Sequence, residues 1–490
     1  MKIVELITPY RKHLFSLLAV AIFAVIMLLP DAPPIQAGSR VISLAPAGKA
    51  SLAVLALTVT LWVTEAIPFS ISGLISLSLL VVMKVATFKD LVSDGFGNTI
   101  VLFFIGVLII SAAINETPLM KRITTFMLYH LGHRPSLIIL TFLAVGSMLS
   151  AWITDMAVAA MLLPIGVGIL KDAGARPLQS NFGRALMISA AWGPLIGGIA
   201  TPAGCGPNPL TMGFLRDLAG INFTFLDWTM LGFPAALLMI PFAWFILLKS
   251  FPLEEISISI SEETYRARVR ELGPLSKKEI FTIIIFFVTI TLWILEPFIK
   301  AWTGGAVDYL EISFVAFTCS CLFFLPGIEV LTWEKAEREI SWGGIILIVT
   351  GLSLGMAIFK SGAAEWIAWV LFGSIGRLHP VAIVFVITIG VSLMKVMFSS
   401  NTVTGIIVVP LLIALARATD ISPALLAVPA GITSSLAFIL VTSTPTNVIP
   451  YSSGYFTIGD MAKAGIWMTI ASSLCVTLSI YALGSILNII

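Results

Sequence analysis

Long apolar runs, each close to the roughly 20 residues that a helix needs to cross a bilayer, recur from one end of this chain to the other with only short charged stretches between them. Backbone in hydrocarbon must satisfy its own hydrogen bonds, so each run reads as a helix. Candidate spans lie at 13-30, 48-65, 68-87, 99-115, 185-214, 229-248, 279-298, 309-326, 342-359, 424-450 and 462-487. Two further apolar segments, 136-172 and 380-416, carry a polar cluster at their midpoints and read as re-entrant hairpins. The expected fold is an all-α polytopic membrane protein with about 11 transmembrane helices plus the two hairpins. Composition closes off the alternatives: 58% of the 490 residues are hydrophobic and 11% are charged, against about 25% charged in a soluble domain. Soluble enzymes, nucleic-acid binders and secreted disulfide modules are excluded, so the lipid bilayer is an expected partner and nucleic acid is not.

Placing the N-terminus in the cytoplasm puts most Lys and Arg residues on the cytoplasmic side, which favours that orientation in an inner (plasma) membrane. The basic loop Lys249 to Lys278, with Arg266, Arg268 and Arg270, then lies inside as a topology anchor. Met1 to His13 is basic and Leu14 to Pro30 apolar, but no convincing cleavage site follows, so this reads as a retained first span. Cys205, Cys319, Cys321 and Cys475 lie in apolar stretches and read as small buried hydrophobes. The histidines His13, His130, His133 and His379 fall at expected interfaces, with no catalytic grouping near the polar clusters, so no enzyme chemistry and no cofactor are expected.

The chain resembles itself at long range. Gly106 has a counterpart in Gly351, the stretch Ser150 to Ala157 closed by Pro164 matches Val396 to Val403 closed by Pro410, and Gly204 to Asn208 matches Ser443 to Asn447, at offsets of about 240 to 246 residues. Two copies with an odd number of spans face opposite ways, and spans two to six against seven to eleven make an inverted five-helix repeat. The expected organisation is 1-47, a first span and loop; 48-248, the first repeat with hairpin 136-172 and broken helix 185-214; 249-278, a cytoplasmic linker; and 279-490, the second repeat with hairpin 380-416 and broken helix 424-450. Glu116 and Lys360 end matched spans, before the amphipathic stretches Met120 to Arg134 and Ala363 to Arg377, which read as interfacial arms.

Polar backbone at membrane depth is tolerated where it is buried in protein or lines a cavity. Thr154-Asp155 and Ser400-Asn401-Thr402 sit midway through the hairpins, while Pro and Gly in Gly204 to Asn208 and Ser443 to Asn447 split two helices. Half-helix N-termini favour anions, and freed carbonyls and hydroxyls suit small cations, so such a site fits an anion travelling with cations.

With Ser400-Asn401-Thr402 at a tip, Thr444-Pro445-Thr446-Asn447 at a break, Leu61 to Pro68 in the second span and Ser453-Gly454-Tyr455 after the break, the chain resembles, over nearly its whole length, the divalent anion/sodium symporter family that includes the INDY proteins. The resemblance implies a substrate site in which Asn401 and Thr402 bind a carboxylate, with Thr154, Asp155, Ser400, Thr444 and Pro445 around them and Asn208 and Asn447 supporting the broken helices. It implies a first sodium site around Ser150, Thr154, Asp155 and the backbone near Gly204, with Ser400 on the cation side of the second tip. It also implies a homodimer with elevator-type alternating access.

Two positions depart from the family pattern. The first tip reads Thr154-Asp155-Met156 instead of Ser-Asn-Thr, which removes an amide donor and places a carboxyl beside an anion site. Two like charges about 4 Å apart repel by roughly 4 kcal/mol at an effective dielectric of about 20. Asp155 therefore holds a cation, carries a proton, or serves a substrate of lower charge. Lys395 precedes Val396, which stands opposite Ser150, so a hydroxyl for a second sodium is missing and an ammonium lies next to the vacancy. Lys395 either replaces that ion, which favours exchange over net uptake, or pairs with Asp155 or snorkels. The functional expectation is a secondary transporter of small di- or tricarboxylates (succinate, malate, 2-oxoglutarate, citrate) by sodium symport or exchange with a counter-substrate. The alternative is a carrier of an inorganic oxyanion such as sulfate.

Overall fold

The computed structural model describes residues 10–37, 40–131, 134–254, 269–372, 378–419 and 421–487. Arg266, Arg268, His133, Arg377 and the first nine residues of the basic N-terminal segment lie outside them. Every apolar run expected to span is helical. Among the described residues, seven helices are long and apolar enough to cross a bilayer: Arg11–Leu28, Pro46–Thr64, Phe225–Ser250, Lys277–Trp302, Trp342–Lys360, Asn401–Ala418 and Ile458–Leu483. An eighth is the pair Phe88–Gly95 and Thr99–Asn115, bent by 40°. The remaining expected spans are shorter pieces, because Pro and Gly divide two of them and Phe69–Val82 and Ile312–Cys321 end early. One element departs from an all-α reading: strands Ile35–Ala37 and Arg40–Ile42 pair antiparallel, with Ile35 opposite Ile42. The β-branched residues of this loop favour the ribbon.

The two segments expected as hairpins have the same dimensions. Pro135–Ser150 and Pro380–Lys395 are 16 residues each, and both open with Pro in the first turn, where its missing N–H costs no bond. Asp155–Asp172 and Asn401–Ala418 are 18 residues each and carry Pro164 and Pro410 inside. The two breaks are followed by 26-residue helices, Phe225–Ser250 and Ile458–Leu483, each started by a reciprocal Thr/Asp capping box, Thr224 with Asp227 and Thr457 with Asp460.

The helices sort into two packed groups. The hairpins, the broken helices and the two 26-residue helices that follow them pack on one another. The helix after each break packs on the hairpin of the other half, Pro445–Tyr451 on Asp155–Asp172 and Pro207–Phe214 on Asn401–Ala418. The second group joins Arg11–Leu28, Pro46–Thr64, Phe69–Val82, Thr99–Asn115, Lys277–Trp302, Ile312–Cys321 and Trp342–Lys360. Between them run the arms Leu119–Leu131 and Ala363–Phe372. The residues that open the arms are ion-paired to the opposite half with swapped polarity: Glu116 with Lys335, and Lys360 with Asp94 at 2.8 Å. Lys360 keeps a half-exposed side chain. Arg122 on the first arm is fixed by the buried Glu279 and by the carbonyls of Leu272, Gly273 and Pro274 at 2.8, 2.8 and 3.0 Å.

Candidate functional site

Each break is held open by one asparagine. Residues 199 to 206 separate Asn181–Gly198 from Pro207–Phe214, which strands carbonyls in the protein interior. The amide of the fully buried Asn208 donates to Gly198 O at 2.8 Å and Thr201 O at 2.7 Å. At the second break the fully buried Asn447 donates to Ala437 O at 2.6 Å and Leu440 O at 3.2 Å. In both cases the acceptors lie ten and seven residues upstream. The first tip is seated against its break by Thr201 Oγ1, which donates to Ala151 O at 2.5 Å. Gly204 allows that approach: a methyl group there would stand 2.5 Å from Gly198 O and 2.7 Å from Ser150 O.

The two tips meet. Asn401 Nδ2 donates to Asp155 Oδ2 at 3.1 Å across 246 residues of sequence, and lies 3.6 Å from Cys205 Sγ. Asp155 Oδ1 accepts the N–H of Met156 at 2.8 Å, and Thr446 lines the same cavity. Ser400 caps its helix by accepting the Val403 N–H at 3.4 Å. The tips and breaks form one side of a cavity of about 530 Å³. From the expected site residues it takes Thr154, Asp155, Gly204, Ser400, Asn401, Thr402, Thr444 and Pro445. The other side comes from the second helix group: Phe69, Phe104, Leu108, Ile345, Leu347 and Ile348.

Ser150, Asn208, Asn447 and Lys395 stand behind the cavity wall. Several oxygens there are buried without a protein partner: Ser150 Oγ, Asn208 Oδ1, Asn401 Oδ1 and Asn447 Oδ1. Buried polar atoms are paired in the great majority of cases, so such a cluster marks a place where a ligand, ion or water completes the bonding. Lys395 is 1% exposed and its ammonium donates to Ser443 O at 2.6 Å. It therefore neither snorkels nor makes a direct ion pair with Asp155.

Three features correct or extend the sequence reading. Cys205 is not a plain buried hydrophobe: it lines the cavity 4.0 Å from Asp155 Oδ2. Cys321 is exposed as well. Thr446 and Met156 join the site beside residues that were singled out, and both belonged to the quoted motifs. The apolar lining from Phe69, Phe104, Leu108 and Ile345 carries no local signal, since apolar residues in spanning helices face lipid, core and cavity alike.

Residues 11–490 match the family described as "Sodium:sulfate symporter transmembrane region". The sodium-dependent dicarboxylate transporter SdcS of Staphylococcus saprophyticus is 30% identical over 448 residues, covering 88% of this chain and 85% of that protein. Its counterpart from Staphylococcus aureus strain USA300 is also 30% identical over 448 residues, covering 87% and 85%. Among solved structures, the Alcanivorax borkumensis YdaH transporter superposes with a TM-score of 0.58 at 14% identity over 97% of this chain and 98% of that one. Neisseria gonorrhoeae MtrF does so with a TM-score of 0.56 at 15% identity over 95% and 94%. At that identity these two speak to the fold alone. By the match over nearly its full length, this multi-pass membrane protein belongs to the family of the sodium:sulfate symporter transmembrane region, the divalent anion/sodium symporters.

Proposed function

We propose that the protein is a sodium-coupled secondary transporter of small carboxylates, of the succinate, malate, 2-oxoglutarate and citrate class. The observation that carries this reading is the meeting of Asn401 and Asp155 at a cavity flanked by two helix breaks. Free N–H groups and amides there suit a carboxylate, and orphaned oxygens nearby suit a small cation. The relatives, sodium-dependent dicarboxylate transporters, suggest the substrate class and the coupling ion.

In this reading Ser400, Asn401, Thr402, Thr444 and Pro445 hold a carboxylate, with Asn208 and Asn447 keeping the breaks open. A sodium ion sits among Ser150, Thr154, Asp155 and Gly204, where Ser150 Oγ and Asn208 Oδ1 lack protein partners. The Lys395 ammonium, bound to Ser443 O, stands in for a second cation and biases the cycle toward exchange, because an empty carrier with a fixed buried charge is costly to reorient. The halves form an inverted repeat, supported by the equal hairpin lengths and the identical asparagine bonding. The group bearing both tips moves against the other group in an elevator cycle, since the cavity lies between them. The protein works as a homodimer in the cytoplasmic membrane with its N-terminus inside.

The test is uptake of labelled succinate, malate, 2-oxoglutarate and citrate into proteoliposomes, at neutral and mildly acidic pH, with and without a sodium gradient and internal counter-substrate. Sodium-stimulated uptake of at least one is expected. Uptake of none, with labelled sulfate entering instead, would move the assignment to the oxyanion alternative.

A further inference from the structure

An anion seat at a helix start consists of N–H groups that have no intrahelical acceptor. At the second tip the first intrahelical bond runs from Thr404 N to Ser400 O at 3.3 Å and Ser400 Oγ takes the Val403 N–H. The N–H groups of Asn401 and Thr402 precede those bonds and face the cavity end of the helix. At the first tip the equivalent seat is filled from within. Asp155 Oδ1 sits on the Met156 N–H, the Ala157 N–H goes to Thr154 O at 3.0 Å, and Asp155 Oδ2 accepts the Asn401 amide. The protein's own carboxylate thus lies where a second carboxylate of a substrate would be bound.

The surroundings agree. Asp155 is the only Asp, Glu, Lys, Arg or His among the described residues that line the cavity. Met156, 46% exposed, puts a thioether at the same wall, and the facing helices contribute Phe104, Leu108 and Ile348. Behind the wall the Lys395 amine donates to Ser443 O at 2.6 Å and makes no direct bond to Asp155. The cavity wall therefore offers a carboxyl of its own and no basic side chain to pair with a second carboxylate of the substrate.

We propose that Asp155 acts as a built-in second carboxylate, so that the site takes a substrate with one ionised carboxylate, bound at Asn401 and Thr402, and an uncharged end against Met156. This rests on the carboxylate reading above and narrows it: a dicarboxylate enters with one end protonated, and a monocarboxylate of similar length is the better ligand.

Succinamate and succinate have the same length and differ in one carboxylate turned into an amide. Each competes against labelled substrate for the wild-type protein in sodium-containing proteoliposomes at neutral pH. The expected result is a preference for succinamate by about tenfold or more, with succinate uptake rising as pH falls through its second ionisation. The double substitution Asp155→Asn with Met156→Thr restores an amide and a hydroxyl to the first tip and should reverse the preference. Thermal unfolding checks that this variant folds, and the wild-type ratio decides the matter if it does not. A wild-type protein that prefers succinate at neutral pH overturns the inference and leaves the carboxylate reading in place. Binding of neither compound overturns both.

Discussion

Around Asn208 and Asn447 the chain solves one problem twice, with each amide bonding carbonyls ten and seven residues upstream. The sites behind these asparagines are then completed in opposite ways. Behind the first break, the Ser150 hydroxyl and Asn208 Oδ1 are buried without a protein partner. Behind the second, the hydroxyl position is Val396 and the Lys395 ammonium binds Ser443 O at 2.6 Å. The tips diverge as well, with a carboxylate at 155 and an amide at 401 joined by one hydrogen bond. The backbone device is common to both halves, whereas a hydroxyl stays unpaired beside the first break and an amine takes a break carbonyl beside the second.

The shared device predicts the largest effects. Asn208→Ala and Asn447→Ala each remove an amide from two interior carbonyls, at about 1–3 kcal/mol for each group left unpaired. Both variants should lower the thermal unfolding midpoint by similar amounts and abolish uptake. A loss at one position only would mean that the second asparagine does not support its break as the first does.

Lys395→Met tests the asymmetry itself. It keeps the volume and removes the amine from Ser443 O, which leaves that interior carbonyl unpaired. Uncompensated buried charge costs about 3–5 kcal/mol when a direct pair is broken, and the effect here should fall below that because Lys395 bonds a carbonyl instead. Expected are reduced stability and loss of exchange. Lys395→Ser, which supplies a hydroxyl and room, should restore uptake with a steeper dependence on sodium concentration. An unchanged sodium dependence in that variant would make Lys395 a packing residue.

How much of this was legible in the sequence follows from what disturbs an apolar pattern. Pro, Gly, Asn and Asp are conspicuous inside runs of Leu, Ile and Val, so the positions of both tips and both breaks could be read directly, and so could the contrast of Asp155 with Asn401. Direction is not conspicuous. Whether Lys395 reaches the surface, Asp155 or a carbonyl depends on where Ser443 lies in space, 48 residues away. Cys205 looked like any small apolar residue until the break placed it beside Asp155. The ion pairs Glu116–Lys335 and Lys360–Asp94 join residues 219 and 266 positions apart, beyond any local pattern. The ribbon at Ile35 to Ile42 was missed because its strands are only three residues each.

The open first site predicts a more selective change. Ser150→Ala removes one hydroxyl oxygen from a fully buried position that no protein donor uses. Because that oxygen has no protein partner, the folded protein should lose little stability. One missing ligand oxygen, at about 1–2 kcal/mol, should raise the sodium concentration for half-maximal uptake by about tenfold and leave substrate affinity at saturating sodium nearly unchanged. A large fall in unfolding temperature instead would assign Ser150 to the packing of hairpin and break.

The smallest effect separates the two broken helices at their starts. Pro423–Ser434 begins with Pro in its first turn, which removes an N–H that would need an acceptor, and Ser422 makes no cap bond. Asn181–Gly198 is capped by Ser180 and also by Glu254, whose carboxylate accepts the N–H groups of Asn181 and Phe182 at 2.5 and 3.0 Å. Burial by itself would push the Glu254 carboxyl up, but those two N–H groups hold it below the usual range. A carboxyl with a lowered folded-state value stabilises the protein fully above its unfolded pKa of about 4.3 and loses that contribution as pH falls through the lower folded value. Glu254→Gln should therefore cost about 0.5–1 kcal/mol at neutral pH, an exposed-cap magnitude, and the gap between wild type and variant should close on acidification. A gap that stays constant from neutral to acidic pH would mean that the charge of Glu254 contributes nothing to the start of the first broken helix.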